Sequence, residues 1–128
     1  MKKYRVQLNG QLIGFTEFES ADPPMGCVNG KIEFEPGIEP YSFFRDHCKA
    51  NNIPTNEDDP DGKVIFTQAI PGLVAITPDG ETIIAAGALI QGFEDEGYEI
   101  DIFGIPYPFY GIEFKHHREN YDNQFKDQ

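Results

Sequence analysis

The turn signal Thr77-Pro78-Asp79-Gly80 separates two apolar runs and restricts the chain to a small set of folds. Residues 73–76 precede the turn and residues 81–90 follow it. Because proline presets φ and glycine supplies φ > 0, the two runs can return antiparallel to each other. The pattern predicts a central β-hairpin within a meander of residues 63–103.

Strand signals also occupy the two ends of the chain. Polar and apolar residues alternate over residues 3–8, Asn9-Gly10 is a preferred two-residue turn, and residues 11–18 read as a second strand, which together predict a hairpin. Residues 98–103 alternate with period two and predict a further strand. The side chains of that strand expected to face solvent are Glu99, Asp101 and Phe103.

One helix signal is clear, between Pro40 and Asn51. Proline suits the first turn of a helix, and Tyr41, Phe44 and Cys48 recur at the three- and four-residue spacing of a buried stripe. Asparagine tolerates the left-handed conformation that ends helices. Aromatic side chains at four-residue spacing predict a short C-terminal helix, at His117, Tyr121 and Phe125.

These elements predict one α+β domain over residues 1–128, since a chain of 128 residues is long enough for a single hydrophobic core. We expect an antiparallel, strongly bent sheet or open barrel of about six to eight strands. The main helix, at about residues 40–51, is predicted to pack on this sheet. The short C-terminal helix completes the predicted fold.

The chain is strongly acidic, with 10 Lys and Arg against 22 Asp and Glu and a net charge of −12. This charge repels phosphate backbones and anionic lipid surfaces, so it argues against nucleic-acid binding and membrane association. It attracts basic partners. Residues 1–6 lack the apolar segment of a secretory signal, and no apolar run is long enough to span a bilayer. We therefore expect a cytoplasmic protein.

The two cysteines, Cys27 and Cys48, are predicted to be separate reduced thiols. A nucleophilic thiol needs a base within hydrogen-bond reach, and adjacent helical residues such as His47 and Cys48 project about 100° apart. Only an approach of Cys27 to His47 in the fold would form such a pair. A small enzyme or ligand-binding protein that uses Cys27 or a carboxylate in a cleft is therefore kept as an alternative.

Two acidic clusters flank the central hairpin and supply the first candidate binding residues. They comprise Glu57, Asp58, Asp59, Asp61, Glu94, Asp95 and Glu96. Residues 57–62 resemble part of a calcium loop, but Pro60 interrupts it and Gln68 stands where the loop requires a bidentate glutamate. A solvated acidic loop over residues 55–62, without a metal site, is therefore the favoured interpretation.

An aromatic and proline-rich connector lies at residues 105–110. Its candidate binding residues are Tyr107, Phe109 and Tyr110. Rings that prolines hold in place offer rigid contact area at small entropic cost, as many binding surfaces do. A loop that covers one end of the sheet is the alternative interpretation, and it is favoured.

The run Leu12-Ile13-Gly14-Phe15-Thr16-Glu17-Phe18-Glu19 leads into Ala21-Asp22-Pro23-Pro24-Met25-Gly26. This opening resembles small uncharacterised bacterial proteins that carry an Asp-Pro-Pro-Met-Gly turn after a strand. The resemblance covers the first quarter of the chain and implies a bacterial origin, without transferring an activity or a functional residue. In physical terms, Asp22 can cap the turn and Gly26 can supply φ > 0.

The sequence assembles no catalytic or cofactor motif, and we predict no cofactor. The acidic charge then favours a non-enzymatic protein-interaction module that masks a basic protein partner, for example an immunity-type inhibitor of a toxin. Two other classes stay open: the small enzyme or ligand-binding protein described above, and a structural or oligomerisation domain. No residue pattern specifies an oligomeric state.

Overall fold

Ten strands and three α-helices make up residues 2–125, the part of the chain that this computed structural model describes. The strands are β1 (Tyr4–Leu8), β2 (Gln11–Thr16), β3 (Ser20–Asp22), β4 (Cys27–Lys31), β5 (Glu33–Phe34), β6 (Thr55–Asp59), β7 (Val64–Thr67), β8 (Leu73–Ile76), β9 (Gly87–Phe93) and β10 (Gly97–Phe103). The helices are α1 (Pro40–Ala50), α2 (Phe109–Glu113) and α3 (Lys115–Asn123), and a 3₁₀ turn spans Pro23–Met25.

The strands form two antiparallel sheets. One sheet has the order β5-β2-β1-β8, and the other has the order β3-β4-β10-β9-β7-β6. The predicted α+β class, with one main helix and a short C-terminal helix, is confirmed. The expected single bent sheet is replaced by two sheets that do not close into a barrel. The reason is that the chain crosses repeatedly from one sheet to the other, for example between β2 and β3 and between β7 and β8.

Both sheets turn one face toward a common core. Its best shielded side chains include Val6, Ile13, Phe18, Phe44, Ile65, Ile90, Ile100 and Phe114. α1 lies against β7 and inserts Phe44, whose ring meets Phe34 edge-on with 6.2 Å between centroids. Near α2 and α3, the ring of Phe114 packs on Tyr4 at 5.6 Å. The predicted burial of Phe44 is confirmed, since none of its surface is exposed.

Local signals define α1 and the first hairpin as the sequence predicts. The Glu39 side chain accepts a hydrogen bond from the Ser42 N–H at 2.6 Å, which satisfies a free donor at the start of α1. The helix ends before Asn52, whose φ is 56°. In the hairpin of β1 and β2, Asn9 and Gly10 have φ values of 50° and 85°, as a type I′ turn requires.

The predicted central hairpin forms only next to its turn, where Ile76 and Thr82 make an isolated antiparallel bridge and the Ile83 N–H donates to the Ala75 carbonyl at 3.0 Å. The turn itself forms, with the Gly80 N–H donating to the Thr77 carbonyl at 2.9 Å. However, β8 pairs with β1 in the four-stranded sheet, whereas β9 pairs with β10 in the six-stranded sheet. Between them Ile83 is 3% exposed and Ile84 is 75% exposed, so this apolar segment crosses between the sheets. Apolar runs of this length do not by themselves distinguish a strand from such a crossing.

Residues 55–62, predicted as a loop, contain a strand. β6 pairs with β7 and forms one edge of the six-stranded sheet. Edge strands are often charged. In the middle of β6, the Asp58 side chain points toward α1, where it accepts a hydrogen bond from the Tyr41 hydroxyl, so this inward position holds a polar side chain rather than an apolar one. The apolar alternation that would reveal a strand is therefore missing. The loop prediction is wrong for Thr55–Asp59 and correct for residues 60–62, which belong to the turn at residues 60–63.

Candidate interaction surface

The two acidic clusters meet at one end of the six-stranded sheet. β7 begins after the first cluster, β9 ends before the second, and the antiparallel register places Ile65 opposite Gly92. The turns at residues 60–63 and 94–96 therefore project from the same end of the sheet. We call residues 57–61 and 94–96 together the acidic end.

Lys63 joins the two halves of the acidic end. Its Nζ lies 2.9 Å from the Glu94 carboxylate and 3.6 Å from the Glu39 carboxylate. The hydrogen bond to Glu94 and the charge of both carboxylates raise the pKa of Lys63. The backbone there is left-handed, with φ 49°, and the Tyr98 hydroxyl donates to the Lys63 carbonyl. The sheet thus holds both acidic turns in a defined arrangement.

Six of the seven carboxylates in the acidic end extend into solvent. They are Glu57, Asp59, Asp61, Glu94, Asp95 and Glu96. Two local hydrogen bonds order the turns: the Asp61 N–H donates to Asp59 at 3.0 Å, and Lys31 donates from its Nζ to the Glu96 carbonyl at 2.6 Å. The second bond involves the main chain, so the Glu96 carboxylate keeps its charge available.

Asp58, the seventh carboxylate, faces α1 instead. Its side chain is 26% exposed, accepts a hydrogen bond from the Tyr41 hydroxyl and pairs with Arg45 at 3.6 Å. Burial, followed by the interaction with Asp58, raises the pKa of Tyr41 to about 12. Asp58 therefore joins β6 to α1 and is engaged within the fold, a role that the sequence cluster alone does not reveal.

The aromatic connector lies at the opposite end of the six-stranded sheet. β10 starts next to the acidic end and runs seven residues to Phe103, a span of about 20 Å at the usual rise of a strand. Tyr110 is completely buried and donates from its hydroxyl to the Cys27 carbonyl at 2.8 Å. Phe109 is half-buried against the core, while Tyr107 is 46% exposed. Tyr110 thus belongs to the core, and the three aromatic residues do not join the acidic end.

A further surface lies on the side of the six-stranded sheet that faces away from the core, and the sequence did not predict it. We call it the outer face. Its central side chains are Asn29, Leu89, Gln91, Glu99, Asp101 and Phe103, all partly exposed. Two recesses of about 340 and 270 Å³ open on it, and their walls consist only of residues of this sheet and the turn after β9. The alternation in β10 predicted its three outward residues, but not which strands flank them.

A small polar network occupies the centre of the outer face. The Gln91 side-chain amide donates to Glu99 at 2.9 Å and to Asp101 at 2.6 Å. Burial, followed by the negative charge of Glu99, raises the pKa of Asp101 from 3.8 to about 6, although Asn29 opposes the shift. Among residues 2–125, Oδ1 of Asp101 is buried without a hydrogen-bond partner. The carboxylates of Glu99 and Asp101 thus share the Gln91 amide as a donor, and no cationic side chain of residues 2–125 pairs with either of them.

Cys27 lies on the outer face, and its surroundings do not activate its thiol. Burial and then the nearby charges of Asp22 and Asp101 raise the thiol pKa, although a hydrogen bond from Gly104 opposes the shift. A nucleophilic thiol needs the reverse effect. His47 lies on α1, which packs on the core side of the sheet, so the two residues do not form a pair. Both cysteines are free, as predicted.

The turn that carries the Asp-Pro-Pro-Met-Gly sequence is a 3₁₀ turn closed by the Gly26 N–H on the Pro23 carbonyl at 2.9 Å. Gly26 has φ 64°, and a Cβ there would lie 2.7 Å from the Ile105 carbonyl oxygen. Glycine is therefore required at this position for both conformation and space. The Asp22 side chain, expected to cap the turn, forms no such bond.

Comparison with known proteins gives no match: no family model, no curated protein and no solved structure is similar to this chain. Among residues 2–125, no three His, Cys, Asp or Glu side chains lie close enough together to hold a metal ion. None of the helices in this part of the chain has the length and apolar character needed to cross a bilayer.

Proposed function

We propose that the protein is a non-enzymatic, cytoplasmic interaction module that binds a basic protein through its acidic end. Two acidic clusters that are distant in the sequence lie together at one end of the six-stranded sheet, and Lys63 links them. This arrangement carries the proposal. Of the six exposed carboxylates there, Glu94 is paired with Lys63, which also pairs with Glu39. The other five leave a predominantly negative surface with a fixed shape.

Such a surface suits capture of a positively charged partner. A net charge of −12 attracts basic proteins over several ångströms, and complementary potentials raise the association rate more than they raise the affinity. The ordered backbone of the acidic end lowers the entropy lost on binding. These features support a complex that forms rapidly and depends on ionic strength.

An immunity-type inhibitor of a toxin is the form of this function that we favour. A toxin that acts on nucleic acid needs a basic surface for the phosphate backbone. A rigid array of carboxylates can occupy that surface in place of the phosphates. The inhibitor then needs no catalytic group of its own.

Charge reversal at the acidic end tests the proposal. The variant combines Glu57→Lys and Asp95→Lys, two exposed residues from the two halves. The wild type, immobilised at low salt, is used to recover basic proteins from a lysate of the source cells, and the recovered protein is purified for kinetics. Reversal should lower its association rate about tenfold, with a smaller effect at high salt.

The matched control combines Asp79→Lys and Glu81→Lys, which change the net charge equally at an exposed turn after β8 in the other sheet. This control should retain most of the wild-type association rate. Asp58 is unsuitable for reversal because a lysine there would face Arg45 and disturb α1. Equal rates for both double variants would mean that net charge alone governs capture, and the acidic end would lose its assigned role.

A further inference from the structure

The larger recess on the outer face has the chemical features of a pocket for a cationic side chain. It measures about 340 Å³ and lies where β3, β4, β10 and β9 run side by side. Leu89 and Phe103 supply apolar walls, while Asp22 and Asp101 supply carboxylates. A long basic side chain matches this arrangement of apolar walls and carboxylates, since its stem is apolar and its head is positively charged.

The Asp101 carboxylate is incompletely satisfied in this recess. Gln91 donates to Oδ2 only, and Oδ1 is buried without a hydrogen-bond partner among residues 2–125. The Asn29 side chain also bonds to the Asp101 carboxylate, but burial and the charge of Glu99 outweigh this bond, so the negative charge of Asp101 is only partly compensated. The nearby Glu99 competes for the same Gln91 amide. A positively charged group in the recess would compensate this charge.

Among residues 2–125, the only basic side chain that lines either recess of the outer face is already engaged. Lys31 donates from Nζ to the Glu96 carbonyl at 2.6 Å, on the side of the face next to the acidic end. Lys31 does not line the larger recess. The charge of this recess is therefore negative, and it complements a cation from another molecule.

We propose that the recess receives an arginine side chain of the basic protein partner. This inference rests on the proposed function and names the contact that gives it specificity. A guanidinium carries several donors in a planar fork and can pair with the carboxylates of Asp22 and Asp101 that line the recess, while its plane stacks on an aromatic ring such as Phe103. A lysine ammonium is a point charge without that planar surface, so it fits the recess less well.

The recess and the acidic end lie close enough for one partner to contact both. Asp101 is five residues along the chain from Glu96, the last residue of the turn that also holds Asp95, a separation of about 17 Å at the usual strand rise. An interface of standard size buries about 800 Å² on each protein, which is wide enough to include both sites. The acidic end would steer the partner and the recess would fix its orientation.

The test is an NMR titration of the ¹⁵N-labelled protein with the capped peptide acetyl-Gly-Arg-Gly-amide. Peptides with citrulline or lysine in place of arginine serve as probes of charge and shape. We expect saturable shifts at the amides of Asn29, Leu89 and Asp101, with millimolar affinity for arginine, several-fold weaker binding of lysine, and no saturation with citrulline. Asp101→Asn keeps an oxygen acceptor for Gln91 and should weaken arginine binding at least fivefold.

Two further variants make the outcome decisive. Ser20→Lys adds a cation at the exposed rim of the recess and should also weaken arginine binding, while Asp79→Asn, in the turn after β8, should leave it unchanged. Unchanged binding by Asp101→Asn and Ser20→Lys, or shifts centred on residues 57–61 and 94–96, would overturn the assignment of the recess. Because the titration uses no partner protein, its result is independent of the capture experiment, and either proposal can fail alone.

Discussion

At the scale of a single residue, the ionised form of Asp101 is unfavourable in the folded protein. Its carboxyl is surrounded by Gln91, Glu99 and Asn29, and its pKa rises from 3.8 to about 6. A carboxyl whose pKa is higher in the folded state favours folding while it is protonated. That contribution is complete below about pH 4 and is lost as the pH rises through 6.

Asp101→Asn should therefore stabilise the protein at neutral pH. We expect the free energy of unfolding at pH 7 to rise by about 1 kcal/mol, which is less than the full pKa shift implies because the group is partly exposed to solvent. The decline in stability between pH 4 and 6 should become shallower. Urea denaturation at several pH values measures both effects. Asp79→Asn, an exposed control, should change neither, and identical pH profiles for Asp101→Asn and wild type would contradict the prediction.

At the scale of elements, α1 gains its stability from the side chains that it buries. Phe44 is completely buried, between the rings of Phe34 and Phe43 at 6.2 and 5.2 Å. Phe44→Ala should reduce the free energy of unfolding by about 3–5 kcal/mol, the range for buried aromatic residues. Chemical denaturation followed by circular dichroism measures this loss. Ile112→Ala, at a 75% exposed position of α2, should cost less than about 0.5 kcal/mol.

The elements that the sequence predicts correctly are those whose signals are local. The Asn9-Gly10 turn and the apolar stripe of α1 each specify a structure within a few residues. The pairing of β8 with β1 is set by contacts between residues about 70 positions apart, for which one sequence holds no local signal. The hairpin predicted around Thr77 therefore ends after the bridge between Ile76 and Thr82, although its turn is correct.

The candidate site was predictable to the same extent. The seven acidic residues were identified from their clustering, yet their meeting at one end of the sheet depends on the register between β7 and β9. The inward direction of Asp58 follows from the pairing of β6, a strand without an apolar pattern. The recess at Asp101 needs four strands in their final order. Of the residues that line it, only the outward directions of Asp101 and Phe103 were visible in the sequence.

At the scale of the whole molecule, charge repulsion opposes the compact state. A net charge of −12 is spread over 128 residues, and the acidic end concentrates part of it. We expect the melting temperature to rise by about 3–5 °C when the NaCl concentration increases from about 20 to 300 mM, because salt screens exposed charges. Differential scanning calorimetry measures the shift. The Glu57→Lys and Asp95→Lys double variant should respond less, and a melting temperature that falls with salt would contradict this view.

The acidic edge strand β6 also determines how copies of the protein behave toward each other. An edge strand offers unpaired backbone groups to any extended chain that approaches it. If a second copy paired its own β6 there, Glu57, Asp58 and Asp59 would face the same carboxylates across a strand spacing of about 5 Å. Like charges at that distance oppose pairing, so the edge rejects self-assembly into fibres at neutral pH while staying open to a strand rich in lysine or arginine. Resistance to aggregation and choice of partner are thus consequences of the same few side chains.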